Sequence, residues 1–238
     1  MKELIRTAIR AAGYIFHRNR KSKVIYYHDL GTEFTDMGTD FEQFKHHINQ
    51  IRSFGFNIVD NIIKPKNEVM VCFDDGWLGI YKYRDYFIEQ GFFPTIFLAI
   101  ELIGAEGFLS LQQILEMQQL GFHFQCHTWT HTGLPDHNDS DLIHELKDSK
   151  EYLEKILGKP VDDICFPQGR FNQDVIEHCQ KLGYRRLYSS LNGGYNQLLK
   201  QGLICRNLLQ DVPSRDIKYV LLGDSIIQRF RLRCLHTK

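Results

Sequence analysis

At 238 residues, 43% apolar and 24% charged, the chain has the length of one large domain or two small ones and the make-up of an ordinary soluble globular protein. Its 29 Lys/Arg balance 29 Asp/Glu, so no net positive field recommends nucleic acid as a partner. The charge is uneven: residues 1–23 hold seven basic residues and one acid, residues 224–238 four and one, leaving 18 basic and 27 acidic residues in 24–223, a balance of −9.

The elements run as follows. In residues 1–23, Leu4, Ile5, Ala8, Ile9, Ala12, Ile15 and Phe16 share one helical face, with Lys2, Arg6 and Arg10 elsewhere. Such a basic amphipathic helix packs on the domain it precedes or lies on an anionic membrane surface. Val24–Tyr27 is a β-rich run ending in His28-Asp29. Asp40 and Glu42 open a helical pattern through Phe41, Phe44, Ile48 and Ile51 that Gly55 ends. Val69–Phe73 is a buried-type strand, residues 79–90 read as a helix stopped by Gly91, and Thr95–Ala99 is a second buried strand. Ser110 caps a helix over Leu111–Leu120, closed by Gly121. Phe122–Cys126 leads straight into His127, Asp139–Leu157 is a long helix ending at Gly158, Ile164–Phe166 is a strand, and Gln173–Leu182 a helix before Gly183. Repeated strand–helix units with short glycine-closed loops predict a parallel sheet, and chemistry clustered after successive strands fits a barrel. With no linker, low-complexity tract or repeat, residues 24–223 read as one domain between a basic N-terminal helix (1–23) and a basic C-terminal tail (224–238).

Six cysteines (72, 126, 165, 179, 205, 234) sit singly with no CxxC spacing. They read as small buried hydrophobes of a reducing compartment. No run approaches the roughly 18 apolar residues of a membrane span, and Arg6 and Arg10 interrupt any secretion-signal core. A cytoplasmic location is the expectation, with contact at the inner membrane face through the basic ends.

Two short pieces carry the chemistry. Cys72-Phe73-Asp74-Asp75-Gly76 ends an apolar strand with adjacent carboxylates, which strand alternation sends in different directions. His127-Thr128-Trp129-Thr130-His131 places two imidazoles four residues apart, a spacing that shares one face of a helical turn. One carboxylate and two histidines make a three-ligand set with positions open for water and substrate, and the second Asp is left to act as a base. The expected ion is a divalent metal, zinc first, with cobalt, nickel or iron also suited to this donor set.

With the Phe166-Pro167-Gln168-Gly169 loop, these motifs stand in the order found in the polysaccharide deacetylases, the NodB-homology domain of carbohydrate esterase family 4. The chain resembles that family over roughly residues 24–210. The resemblance implies an α/β fold, a distorted TIM-barrel-like (β/α) barrel of about seven strands. It implies hydrolysis of an N-acetyl group from an amino sugar, with Asp74 as base and Asp75, His127 and His131 as metal ligands. Pro167, Gln168 and Gly169 would form the loop at the oxyanion. Family members often carry the acid histidine on a late strand, and no such strand is apparent here. Val24–Asp29 instead resembles the permuted arrangement of poly-β-1,6-N-acetylglucosamine deacetylases, which makes His28 the expected acid and Asp29 its orienting neighbour.

Two departures stand out. Cys165 occupies the position where many relatives have an Arg paired with the catalytic Asp, with Arg170 the nearest substitute. No counterpart of the family's Asp-and-Trp fourth motif is apparent. Trp129 suits either a sugar face or the underside of its loop, and Arg170 is a second candidate substrate contact. His46, His47, His137 and His144 lie in polar, helix-like or loop contexts and do not read as ligands, Tyr81, Tyr83 and Tyr86 read as a packing face, and Asp162-Asp163 as a solvated strand start. The expected partner is an N-acetylated glycan or its lipid-linked precursor. A deformylase of a lipid-linked amino sugar and a catalytically silent glycan-binding homologue are the alternatives.

Overall fold

The computed structural model describes residues 19–195, 200–210 and 212–223, with Ala11, Tyr14 and Ile15. The expected N-terminal helix lies largely, and the C-terminal tail wholly, outside the described residues. In chain order the elements are β1 (Lys23–Tyr27), β2 (Asp29–Leu30), β3 (Gly38–Thr39), α1 (Phe41–Ser53), β4 (Asn57–Ile58) and β5 (Glu68–Phe73). Then come α2 (Gly79–Lys82), α3 (Arg84–Gln90), β6 (Thr95–Leu98), α4 (Leu111–Leu120) and β7 (His123–Cys126). One continuous helical stretch follows: α5 (Asp139–Ile143), a π-helical turn (His144–Asp148) and α6 (Ser149–Leu157). The chain goes on through β8 (Asp163–Cys165), α7 (Gln173–Lys181), β9 (Arg186–Tyr188), β10 (Leu203–Ile204), β11 (Arg206–Leu208) and α8 (Ile217–Leu222).

Local chemistry sets the helix ends. Asp40 accepts the Gln43 N–H at the start of α1, whose buried Phe44, Ile48 and Ile51 follow the helical period. Ser110 and Gln113 form a capping box at α4, and Gly121 closes it in the left-handed conformation. The helix expected over 79–90 is two helices, broken at Tyr83. Tyr83 stacks on Phe41 at 4.0 Å, tying the break to α1.

The main sheet runs β10-β9-β8-β7-β6-β5-β1-β11, with β4 added beside β5, and every pair in it is parallel. Its two ends, β10 and β11, are separated only by Cys205. The stretch 203–208 therefore pairs with β9 at one end and β1 at the other, bringing the sheet's edges together. Counting that stretch once gives seven strands around a TIM-like (β/α) barrel. The late strands β9 to β11 were not apparent in the sequence.

Strand alternation sorts the core into two layers. Val24, Tyr26, Met70, Cys72, Phe97, Cys165, Tyr188 and Ile204 pack together inside the sheet. Their neighbours Ile25, Tyr27, Val71, Phe73, Ile96, Leu98, Cys126, Ile164 and Leu187 face the helices. Following the inward positions two residues onward leads from Tyr26 to His28, from Cys72 to Asp74 and from Ile204 to Arg206. The fold thus delivers these polar side chains to the C-terminal end of the barrel, where α/β barrels carry their sites. The five described cysteines are all buried, and none of them forms a disulfide. Among the described residues no helix is long and apolar enough to cross a membrane.

Candidate active site

Asp74 sits one residue past β5, its N–H bonded to Tyr27 O, and is 3% exposed. Arg206, 1% exposed at the start of β11, grips it with both arms: Nη1 to Oδ1 at 2.6 Å and Nη2 to Oδ2 at 2.8 Å. The guanidinium also donates from Nε to Ser189 O at 3.2 Å and lies 4.1 Å over the Tyr26 ring. Burial alone would raise the Asp74 carboxyl, but the Arg206 charge outweighs it and holds the group below the usual carboxylate range. Cys165 Sγ lies 3.8 Å from both Asp74 oxygens, and burial pushes its thiol well up, so it is neutral.

Asp75 turns the other way. Its Oδ1 faces His127 Nε2 at 3.3 Å and His131 Nε2 at 3.0 Å, while Oδ2 accepts the Trp77 indole N–H at 3.1 Å. His127 Nδ1 is 2.8 Å from Cys165 O. A carbonyl can only accept, so Nδ1 carries the proton and Nε2 offers its lone pair. Two ring nitrogens and an Asp75 oxygen that has no hydrogen-bond partner thus converge on one point. That is the donor set of a divalent metal, and the residues fit one. Asp74, His127 and Cys165 also lie close together, but the Asp74 charge is already matched by Arg206 and the thiol is neutral.

The two histidines do not share a helical turn as their spacing predicts. Residues 127–133 are irregular, with Thr128 at φ 70° and His131 at φ 62°. Asp75 (φ 70°) and Gln168 (φ 57°) are left-handed as well, so four of the six such non-glycine residues among those described surround the site. Glu145, buried in the π-helical turn, explains how the loop is held. Its Oε2 accepts the N–H groups of Trp129 and Thr130, and its Oε1 the Thr130 hydroxyl. Sequence reading passed over Glu145, because a charged residue in a helix usually faces water.

The remaining candidates fall as follows. His28 lies close enough to act on Asp74 electrostatically, and its Nδ1 meets Gln210 Oε1 at 2.6 Å. Asp29 does not orient it: Asp29 is fully buried and its Oδ1 accepts the Leu30 N–H. Pro167, Gln168 and Gly169 form a 3₁₀ turn closed by Gly169 N–H to Phe166 O and Arg170 N–H to Pro167 O, and Gln168 stands exposed at its crest. Arg170 does not stand in for the missing Arg, because it is paired at the surface with Asp136. Trp129 packs against His144 at 4.7 Å and Tyr152 at 5.7 Å, the underside option. His47 is a buried partner of the Tyr27 hydroxyl, and Asp163 is a buried partner of Arg186 rather than a solvated strand start. Arg206 is the residue sequence reading missed. Its signal is a lone cation, followed by Asn207, between the apolar stretches Leu203–Cys205 and Leu208–Leu209.

The polysaccharide deacetylase family model matches residues 61–187, and the chain belongs to that family. A Bacillus subtilis (strain 168) polysaccharide deacetylase homologue, YxkH, is 29% identical over 124 residues, 51% of this chain and 44% of that protein. The match thus spans less than half the length of that relative. Among solved structures, the Streptococcus pyogenes deacetylase PplD in complex with acetate shares the fold at TM-score 0.74 and 21% identity, over 84% of this chain and 98% of that one. IcaB from Ammonifex degensii does so at TM-score 0.72 and 18% identity, over 84% and 97%. BC0361, a polysaccharide deacetylase from Bacillus cereus, reaches TM-score 0.72 at 24% identity, over 85% and 69%.

Proposed function

We propose that this chain is a metal-dependent hydrolase that removes N-acetyl groups from an amino-sugar glycan or its lipid-linked precursor. The observation that carries the reading is the division of labour between neighbouring buried carboxylates, Asp74 on Arg206 and Asp75 on His127 and His131. Asp75, His127 and His131 would hold the metal, zinc being the ion best suited, which supplies the Lewis acidity that polarises the acyl group and acidifies water.

The chain's own groups do the rest. Asp74, kept ionised by Arg206, takes the proton of the water that attacks the acyl carbon. The Gln168 N–H, on a left-handed residue at the crest of its turn, donates to the oxygen that gains charge. His28, fixed through Nδ1 by Gln210, gives a proton from Nε2 to the departing nitrogen, so that acetate and a free amine leave. A silent glycan-binding homologue drew its support from Cys165, and Arg206 removes that support by supplying the cation from another strand.

The test is acetate release from β-1,4 and β-1,6 N-acetylglucosamine oligomers by protein stripped of metal and reloaded with zinc or cobalt. Metal-dependent release is expected. Release of formate from an N-formyl analogue, with none of acetate, would favour the deformylase reading. Absence of metal binding would overturn the assignment of Asp75, His127 and His131.

A further inference from the structure

The strands begin at the end of the barrel opposite the catalytic groups. There Ile62 packs into the barrel's inner layer, while its neighbour Ile63 is 87% exposed, the most exposed large apolar side chain among the described residues. The loop that presents it is firmly held. The buried Glu68 accepts the N–H groups of Ile63 at 2.7 Å and Lys64 at 2.8 Å through Oε2. Ser22 donates from Oγ to Lys64 O at 2.6 Å and from its N–H to Pro65 O at 2.9 Å, and Lys21 and Lys66 form an antiparallel bridge. Ile63 thus stands beside two exposed cations, Lys64 and Lys66.

The two basic ends of the chain start from the same place. Asn19 N–H bonds to Leu222 O at 2.8 Å, and Lys23 Nζ donates to Gly223 O at 2.9 Å. Tyr14 packs edge-on against Tyr219 of α8, with centroids 5.5 Å apart, yet Ile15 beside it is 70% exposed. The period read from the sequence puts Ile15 on one face with Leu4, Ile5, Ala8 and Ile9. At Ile15, then, that apolar face meets solvent and is not laid on the barrel. The seven basic residues of 1–23 and the four of 224–238 are set against one acid in each segment. The acids on this side of the barrel are engaged: Asp60 with His123 and the Phe93 N–H, Asp162 with Arg185, and Asp163 with Arg186.

We propose that this end of the barrel docks on an anionic phospholipid surface, with Ile63 and Ile15 entering the headgroup layer while Lys64, Lys66 and the basic ends meet the lipid phosphates. Isolated apolar side chains among cations suit that boundary, where the first are buried and the second keep both water and counter-charge. A nucleic acid would match the charge but leave both isoleucines in water. The catalytic end, with His28 and Asp74, then faces away from the lipid. The inference does not depend on which bond the site cleaves.

The test is sedimentation of the full chain with vesicles of phosphatidylcholine alone and with about 30% phosphatidylglycerol added. Binding to the anionic vesicles is expected, with release as salt is raised and little binding to the neutral ones. Ile63→Asp and Ile15→Asp should each weaken it about five- to tenfold, and Lys64→Glu with Lys66→Glu about tenfold or more. Metal content and acetate release from a soluble oligomer should stay at wild type in all three proteins, which also shows that they fold. Equal binding to neutral and anionic vesicles, or binding to neither, would overturn the proposal. Binding that duplex DNA matches at the same salt, and that both isoleucine variants leave unchanged, would assign the face to a nucleic acid instead. Binding as expected by a protein that releases acetate from no substrate would sink the deacetylase reading alone and leave the docking face standing.

Discussion

Arg206 and Asp74 stand 132 positions apart in the chain and meet in two short parallel hydrogen bonds inside the barrel. The strand that closes the sheet therefore also carries the counter-charge of the proposed base. That counter-charge comes from β11, while Cys165 on β8 puts only a small thiol beside the same carboxylate.

Arg206→Ala leaves an ionised carboxylate buried without its counter-charge. Removing one partner of a buried ion pair costs about 3–5 kcal/mol at neutral pH, read from denaturant unfolding, and turnover should fall with it. Adding Asp74→Asn to Arg206→Ala should recover much of the stability, since the pair is coupled, but none of the rate. Placing the charge back with Cys165→Arg in the Arg206→Ala protein should regain part of the turnover. Full activity in Arg206→Ala would remove the guanidinium from its assigned role.

How much of this was legible in the sequence follows from how locally each feature is determined. Met70, Cys72 and Asp74 follow strand alternation, and Asp40 and Ser110 announce helix starts, because the physics acts within a few residues. The candidate ligand trio was visible as residue types, but its geometry was not: His127 and His131 converge through left-handed backbone at Thr128 and His131, which spacing alone misreads as a helix. Strands β9 to β11, each two or three residues long, fall below the length at which periodicity can be seen. Arg206 and Glu145 were missed because burial of a charge is decided by partners distant in sequence.

His28 and Gln210 give a test of the proton donor. His28→Ala should lower kcat on N-acetyl sugars by about 10² or more, and Gln210→Leu by about tenfold, the worth of one good hydrogen bond. An aryl acetate, whose leaving group departs without a proton, should be far less sensitive to either change. Equal losses on amide and aryl ester would assign His28 to something other than protonating the amine.

Glu145 offers a test of how the metal loop is held. Glu145→Ala frees the N–H groups of Trp129 and Thr130 and should weaken metal binding about 10- to 100-fold, measured by competition with a chelator. Glu145→Gln keeps an oxygen for both N–H groups, and its amide can donate to the Thr130 hydroxyl, so affinity should stay within a few-fold of wild type. If alanine and glutamine weaken binding alike, charge rather than loop geometry is the contribution of Glu145.

Stability should carry two opposed pH dependences, both from buried groups outside the proposed metal set. Burial raises the Asp29 carboxyl to about 7 despite the Leu30, Ile80 and Gly79 N–H groups facing it. The folded protein therefore keeps a proton that the unfolded chain releases near 4, and stability falls as pH rises from there to about 7. Burial lowers His47 to about 4. The unfolded chain takes up a proton below about 6.5 that the fold refuses, so stability falls as pH drops from 6.5 to 4. Across that shared window the two slopes, each up to about 1.4 kcal/mol per pH unit, oppose one another. His47→Asn removes one of them, so its stability relative to wild type should rise on going from pH 6.5 to 4.5 in urea unfolding. Asp29→Asn, which keeps an oxygen for the N–H groups, should show the reverse trend. Curves for both variants parallel to wild type would mean that neither side chain holds its shifted protonation in the fold.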